Sequence, residues 1–201
     1  MHSIVGLYTA FVGTRRIVTA SVREMLAQTK RVVDGGSLEP VLIFDDSTGA
    51  QIEFDLEGTE QEVLSRLESD PSFAAPQPVD DAVKGRGRPK LGVVSREVSL
   101  LPRHWEWLER QPGGISAALR KLIEVQSKAT RGLELARNAR HAAGKFMWSM
   151  AGDLPHFEEA SRALYAKDDA RLLTLIYDWP RDVRDHVQLL VDKAAQLDAL
   201  A

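Results

Sequence analysis

The stretch YTAFVGTRRIVTA, residues Tyr8–Ala20, decides how the first third of the chain folds. β-branched and aromatic residues stand on both sides of Gly13-Thr14, a pattern that predicts a hairpin of two strands, Tyr8–Val12 and Arg15–Ala20. From Val22 to Val33, apolar residues recur every three or four positions, and a glycine pair follows. A helix is therefore predicted directly after the hairpin.

A second unit of two strands and a helix follows the first. Pro40–Phe44 and Gln51–Leu56 are rich in apolar residues, and the Asp, Ser, Thr and Gly residues between them favour a turn. Thr59 stands three residues before Glu62, the spacing of a capping box, at the start of a helix predicted to end near Glu68. Residues 1–68 are therefore predicted to form a small ββαββα module.

The rest of the chain divides into a linker and a helical part. Residues 69–92 are rich in Pro, Asp, Ser and Gly and predict a flexible, basic linker. From Leu119 to Met150 the apolar spacing predicts one long helix or two nearly collinear ones, and three shorter helices are predicted over Phe157–Leu164, Ala170–Tyr177 and Asp182–Leu200. The predicted class is α+β, with an all-α C-terminal region divided into residues 93–127 and 128–201.

The composition excludes several classes of protein. The 201 residues include no Cys, which excludes disulfides, thiolate metal sites and cysteine nucleophiles. No apolar run approaches the ~20 residues of a membrane span, so a cytoplasmic protein without a membrane partner is expected. The five histidines belong to no recognisable metal or triad motif, and neither a GxxxxGK nor a strand-to-helix GxGxxG motif occurs. We therefore expect no catalytic residues, no metal and no cofactor.

Charge is distributed unevenly along the chain. The net charge of −3 conceals a middle segment, residues 84–145, with 14 Lys+Arg against 5 Asp+Glu, between two acidic flanks. Such a segment attracts polyanions such as DNA through the release of counterions. The alternative is that its charges are solvated or paired with the acidic flanks.

The basic segment begins with a motif that resembles an AT-hook. Its core is Arg86-Gly87-Arg88-Pro89, followed by Lys90. An AT-hook lies along the narrow minor groove of A·T tracts, where arginine meets an enhanced negative potential and proline keeps the backbone extended. The resemblance implies that these five residues contact DNA. A plain basic tether is the alternative.

The next stretch, VVSREVSLLPRHWEWLERQPGGISAALRKLIEVQ, resembles a ribbon-helix-helix domain, in which two chains pair one strand each and insert the ribbon into the major groove. The resemblance places Arg96 and Ser99 towards the groove, and Ser116, Arg120 and Lys121 on the DNA backbone. It also implies a shared dimer core, which consists of Trp105, Leu108, Ile115, Leu119, Leu122 and Ile123.

The register of this ribbon stays open. One register buries Leu101 and Ser99, and the other buries Val98 and Leu100 but points Glu97 at the DNA. A helix-turn-helix and a plain helical hairpin are further alternatives for the same residues.

Over nearly its whole length the chain resembles a bacterial family, domain of unknown function 2239. The resemblance is carried by FDLEGT, GRPKLGVVSREVSLLPRHWEWL, FMWSMAGDLPHFEEASRALYAKD and WPRDVRDH. The family name implies membership and no mechanism. From the residues we predict a homodimeric DNA-binding protein that acts as a transcriptional regulator. The rival hypothesis is a non-enzymatic homo-oligomeric interaction module whose basic segment docks on acidic protein surfaces.

Overall fold

The computed structural model describes residues 6–37, 39–70, 72–73, 94 and 96–201. Its architecture is mixed, with a small antiparallel sheet in the N-terminal part and a mostly helical C-terminal part. The elements are β1 (Leu7–Val12), β2 (Arg15–Ser21), α1 (Val22–Asp34), β3 (Val41–Asp45), β4 (Ala50–Ile52), α2 (Glu60–Ser69), α3 (Pro102–Glu109), α4 (Ile115–Ala151), α5 (Phe157–Tyr165), α6 (Asp169–Leu175) and α7 (Arg181–Ala199). The ββαββα order predicted for the first 68 residues is confirmed, and the predicted long helix is the single helix α4.

The four strands form one antiparallel sheet in the order β2-β1-β3-β4. Because side chains alternate across a strand, Ala10 and Ile43 face one side of the sheet while Phe11 and Phe44 face the other. The edge strand β2 is held at one point by α7, because the backbone N–H of Arg16 donates to Asp182 Oδ2 at 2.9 Å.

One face of the sheet is covered by α1 and α2. Ser21 caps α1, and Thr59 and Glu62 form the predicted capping box at the start of α2. The buried residues on this side are Ala10, Ala20, Met25, Leu26, Ile43, Val63 and Leu67.

The other face is covered by the C-terminal helices. Phe11 and Phe44 pack against Phe146 of α4, with ring centroids 5.5 and 5.0 Å from it. The same core includes Met147, Leu164, Leu172, Ile176, Val183, Val187 and Leu190. The sheet is therefore buried between helices from both ends of the sequence.

The turn between β3 and β4 approaches α4 closely at Gly49. This residue has φ +66, and a Cβ there would lie 2.0 Å from the carbonyl oxygen of Ala142. Only glycine combines a left-handed backbone with so near an approach.

The second strand of this hairpin is shorter than predicted. We expected Gln51–Leu56, but β4 is Ala50–Ile52. The carbonyls of Asp55 and Glu57 accept hydrogen bonds from the Arg66 guanidinium of α2, not from a neighbouring strand. Beyond the end of β4, these carbonyls are therefore satisfied by a side chain of α2.

By its contacts the chain divides into two compact units, one of residues 1–74 with 131–201 and one of residues 75–130. The boundary between residues 130 and 131 falls inside α4. The four-part division at residues 68, 92 and 127 stays a prediction, and most of the predicted linker, 69–92, lies outside the described residues. No helix in the described ranges is long and apolar enough to cross a membrane.

Candidate functional site

The basic helical segment predicted to bind DNA contains α3 and the first part of α4. Pro102 occupies the start of α3, where its missing N–H removes no helical hydrogen bond. Gly113 and Gly114, with φ +90 and +82, make the turn into α4. Residues 96–101 lie in neither a strand nor a helix of the single chain.

The predicted DNA-binding residues fall into two groups. Arg86, Gly87, Arg88, Pro89 and Lys90 lie outside the described residues. Arg96, Ser99, Ser116, Arg120 and Lys121 are all exposed. Ser116 and Arg120 lie one helical turn apart at the start of α4 and so share a face of it.

The residues predicted to form a dimer core differ in burial within the single chain. Leu108 is buried, and Trp105, Ile115 and Leu119 are half-buried. Leu122 and Ile123 are 47% and 64% exposed, and neighbouring Val125 is 61% exposed. Three large apolar positions within four residues of α4 are therefore in contact with solvent when the chain is alone.

Most cations of the basic segment have no acidic partner. Within the described residues 96–145, Arg110 pairs with Glu106 and Arg140 with Asp169 and Asp198. No carboxylate within the described ranges lies within 4.0 Å of the remaining cations, Arg96, Arg103, Arg120, Lys121, Lys128, Arg131, Arg137 and Lys145. These side chains therefore take part in no ion pair among the described residues.

A buried polar site joins the sheet to α7. His186 is fully buried, and its Nε2 lies 3.4 Å from Oδ1 of Asp46, itself 3% exposed. The Thr9 hydroxyl donates a hydrogen bond to Asp46 Oδ2 at 2.9 Å. Because a hydroxyl has one proton to donate, the Thr19 hydroxyl is the donor in its 2.8 Å hydrogen bond with Thr9. The His186 ring packs on Phe146, with centroids 4.5 Å apart.

This pair has no route to a substrate. Both partners are enclosed by the aromatic core, and neither Asp46 Oδ1 nor either nitrogen of His186 makes a hydrogen bond of good geometry within the described chain. A buried polar group without hydrogen bonds lowers the stability of the native state. Removal of either His186 or Asp46 would therefore leave the other buried without its neighbour. The arrangement is suited to fixing α7 against the sheet.

A second polar site lies where α4, α5 and α7 meet. Arg140 of α4 is 5% exposed, and its Nη1 donates to Asp169 Oδ1 at 2.6 Å and to the Leu164 carbonyl at 3.1 Å. Burial lowers the pKa of Arg140, but the hydrogen bond and charge of Asp169 outweigh burial and raise it above its ordinary value. Arg140 therefore stays charged inside the protein.

Beside Arg140 lies a cavity of about 380 Å³. Its lining combines cations, apolar groups and one carboxylate, from Leu133, Ala136, Arg137, Arg140, His141, Tyr165, Lys167 and Asp198. Lys167 Nζ contacts Asp198 at 2.6 Å, and this hydrogen bond is the main cause that lowers the pKa of Asp198 below its usual value.

Sequence reasoning missed both polar sites, although the helical spacing carries a signal for each. Ala136, Arg140, Ala143 and Met147 follow one face of α4, so an arginine occupies a position where the spacing calls for an apolar residue. His186 likewise lies among Val183, Val187 and Leu190 on the buried face of α7. Asp46 gives no such signal, because an aspartate in a turn is ordinary.

Comparison with known proteins identifies a family and no characterised relative. No curated protein and no solved structure matches the chain. One family model, described as an uncharacterized protein conserved in bacteria, matches residues 7–191. Since the match covers both faces of the sheet and nearly all of the helical part, the chain belongs to this bacterial family, domain of unknown function 2239.

Proposed function

We propose that this protein binds double-stranded DNA as a homodimer, through residues 84–121, and regulates transcription in the bacterial cytoplasm. The observation that supports the proposal best is the set of exposed, unpaired cations on α3 and α4. A cation without a carboxylate partner gives up no ion pair when it meets a phosphate, and each such contact releases counterions from the DNA.

In this proposal three groups of residues have different tasks. Arg86 and Arg88 enter the minor groove as in an AT-hook, and Arg96 with Ser99 faces the major groove. Ser116, Arg120 and Lys121 contact the phosphate backbone, where they position the protein without reading sequence. The ribbon strand forms only when two chains pair, so it is not expected within one chain.

The exposed apolar residues of α4 support the dimer. Leu122 and Val125 lie three residues apart on one face of α4 and are 47% and 61% exposed, and exposed apolar surface on a soluble protein is usually covered by a partner. A second copy of the same segment supplies a matching surface in a symmetric dimer.

The test is binding of the full chain to A·T-rich and mixed-sequence duplexes by fluorescence anisotropy, at about 50 and 200 mM salt, with light scattering for the mass. We expect a dimer that binds the A·T-rich duplex more tightly and loses roughly 10³-fold or more in affinity at the higher salt if six or more phosphates are contacted. Absence of binding at the lower salt would refute the proposal.

Matched variants separate the proposed contacts from a general charge effect. Arg86→Ala with Arg88→Ala should remove the preference for A·T-rich DNA, whereas Arg120→Ala with Lys121→Ala should weaken binding to all duplexes and reduce the salt slope by about 2. Arg171→Ala with Arg181→Ala changes the net charge equally, on helices α6 and α7, and should leave binding unchanged.

The interaction-module hypothesis gives a different result. If the chain forms a dimer that binds neither duplex, and if Arg120→Ala with Lys121→Ala dissociates that dimer, then the basic segment binds protein. Under the DNA-binding proposal the same variant keeps its dimeric mass, because the apolar residues of α4 hold the two chains together.

A further inference from the structure

We propose that the cavity beside Arg140 is a binding site for a small organic anion, a carboxylate or a phosphate ester with a compact apolar group. The site is independent of the proposed DNA contacts, since every residue that lines it belongs to residues 133–198. Its volume, about 380 Å³, lies at the small end of the range of ligand pockets, roughly 300–1,000 Å³.

The charge balance of the lining favours an anion. Arg137, Arg140 and Lys167 are cationic and Asp198 is the carboxylate of the lining, while Asp169, outside the lining, pairs with Arg140. Asp198 already accepts ion pairs from Lys167 and, at 3.5 Å, from Arg140. Arg137 has no carboxylate within 4.0 Å in the described part of the chain, so its guanidinium is available to an incoming carboxylate or phosphate.

Several contacts hold the cavity wall in place. Lys167 follows the end of α5 with a left-handed backbone, φ 60, and the backbone N–H of Asp168 closes this helix end by donating to the Ala163 carbonyl at 3.0 Å. The Tyr165 hydroxyl lies so close to Gly144 that a Cβ there would be 2.3 Å away. Arg140 is 95% buried, and its Nε has no acceptor among the described residues. A wall fixed by a buried cation is preorganised for a ligand of opposite charge.

The remaining lining residues determine the class of anion. Leu133, Ala136 and the Tyr165 ring give the cavity an apolar side. Inorganic phosphate would not cover this side, whereas an anion with an apolar group would displace water from it. No group of three His, Asp or Glu side chains in the described ranges is arranged to hold a metal. The mixed lining is therefore suited to binding an organic anion.

Isothermal titration calorimetry on the full chain tests this proposal, with phenyl phosphate, benzoate and inorganic phosphate as probes at one fixed ionic strength. We expect saturable binding of phenyl phosphate or benzoate, and weaker binding of inorganic phosphate. Comparison of the two organic probes distinguishes a phosphate ester from a carboxylate as the preferred class.

Two variants and a control locate the binding. Arg137→Ala should weaken the preferred probe about tenfold or more, and Tyr165→Phe by about two- to tenfold. Arg131→Ala removes an unpaired cation from the same helix outside the cavity and should bind as the wild type does. Arg137 is exposed, so its replacement should leave the fold intact, as circular dichroism would verify.

Three outcomes would overturn the proposal. The first is no saturable binding of any probe, and the second is equal affinity for phenyl phosphate, benzoate and inorganic phosphate. The third is an Arg137→Ala variant that keeps probe binding but loses DNA binding, which would assign Arg137 to the DNA surface. None of the three decides whether residues 84–121 bind DNA, so the two proposals fail separately.

Discussion

Replacement of His186 by Leu should reveal how strongly the buried pair holds α7 on the sheet. The substitution leaves Asp46, 3% exposed, with the Thr9 hydroxyl as its remaining side-chain partner. Removal of one member of a buried polar pair typically costs about 1–3 kcal/mol, because the other stays buried without a partner. Since single domains are stable by about 5–15 kcal/mol, His186→Leu should remove a measurable part of the free energy of unfolding.

A second substitution makes the reasoning specific to the pair. Asp46→Asn added to His186→Leu replaces the acidic group that has lost its partner but keeps the shape of the side chain beside Thr9. The double variant should therefore be more stable than His186→Leu alone by about 1–2 kcal/mol. If Asp46 and His186 did not interact, the second substitution would instead add its own cost.

Urea unfolding followed by far-UV circular dichroism measures these differences in the free energy of unfolding. The comparison is valid when the variants share the same dependence of that free energy on urea concentration. His104→Leu is the control, because His104 is exposed and its replacement should change stability by less than about 0.5 kcal/mol. A cost of His186→Leu no greater than that of this control, or a double variant less stable than His186→Leu, would contradict an interaction between His186 and Asp46.

Three further predictions concern a turn, a helix cap and an ion pair. Gly49→Ala should lower the free energy of unfolding by about 1–3 kcal/mol or more, since its Cβ would overlap Ala142 at a positive φ, and thermal melting would show the loss. Thr59→Ala should cost about 1 kcal/mol in urea unfolding through the lost cap of α2, whereas unchanged stability would contradict the capping box. Asp198→Asn should lower the melting temperature at neutral pH. The folded-state pKa of Asp198 lies below its unfolded value of about 3.9, so this difference should persist above that pH and shrink as the pH falls through the folded pKa. A difference that stayed constant down to pH values well below 3.9 would count against the ion pair with Lys167.

Local sequence patterns predict most of the helices and strands, but they do not predict which elements pack together in the core. The hairpin of β1 and β2 and the cap at Thr59 depend on residues close together in the chain, and both are present as expected. The carbonyls of Asp55 and Glu57 bind Arg66, a side chain of the following helix, and no strand pattern contains that information.

The core between the sheet and the C-terminal helices is a further case of this limit. Phe11 and Phe44 were recognisable as strand residues, but their packing on Phe146 joins positions more than 100 residues apart. Apolar spacing shows that a face is buried and does not show against which element. The cavity at Arg140 has the same origin, since α4, α5 and α7 each contribute to its lining.

The shared core also constrains the order of events during synthesis. Phe11 and Phe44 leave the ribosome long before Phe146 and Val187, the residues that cover them. At a typical 5–20 residues per second, the 143 residues that follow Phe44 up to and including Val187 take on the order of ten seconds to translate. Throughout that interval one face of the nascent sheet is aromatic and uncovered, so we expect this chain to engage a ribosome-associated chaperone and to aggregate when translation stops before α7.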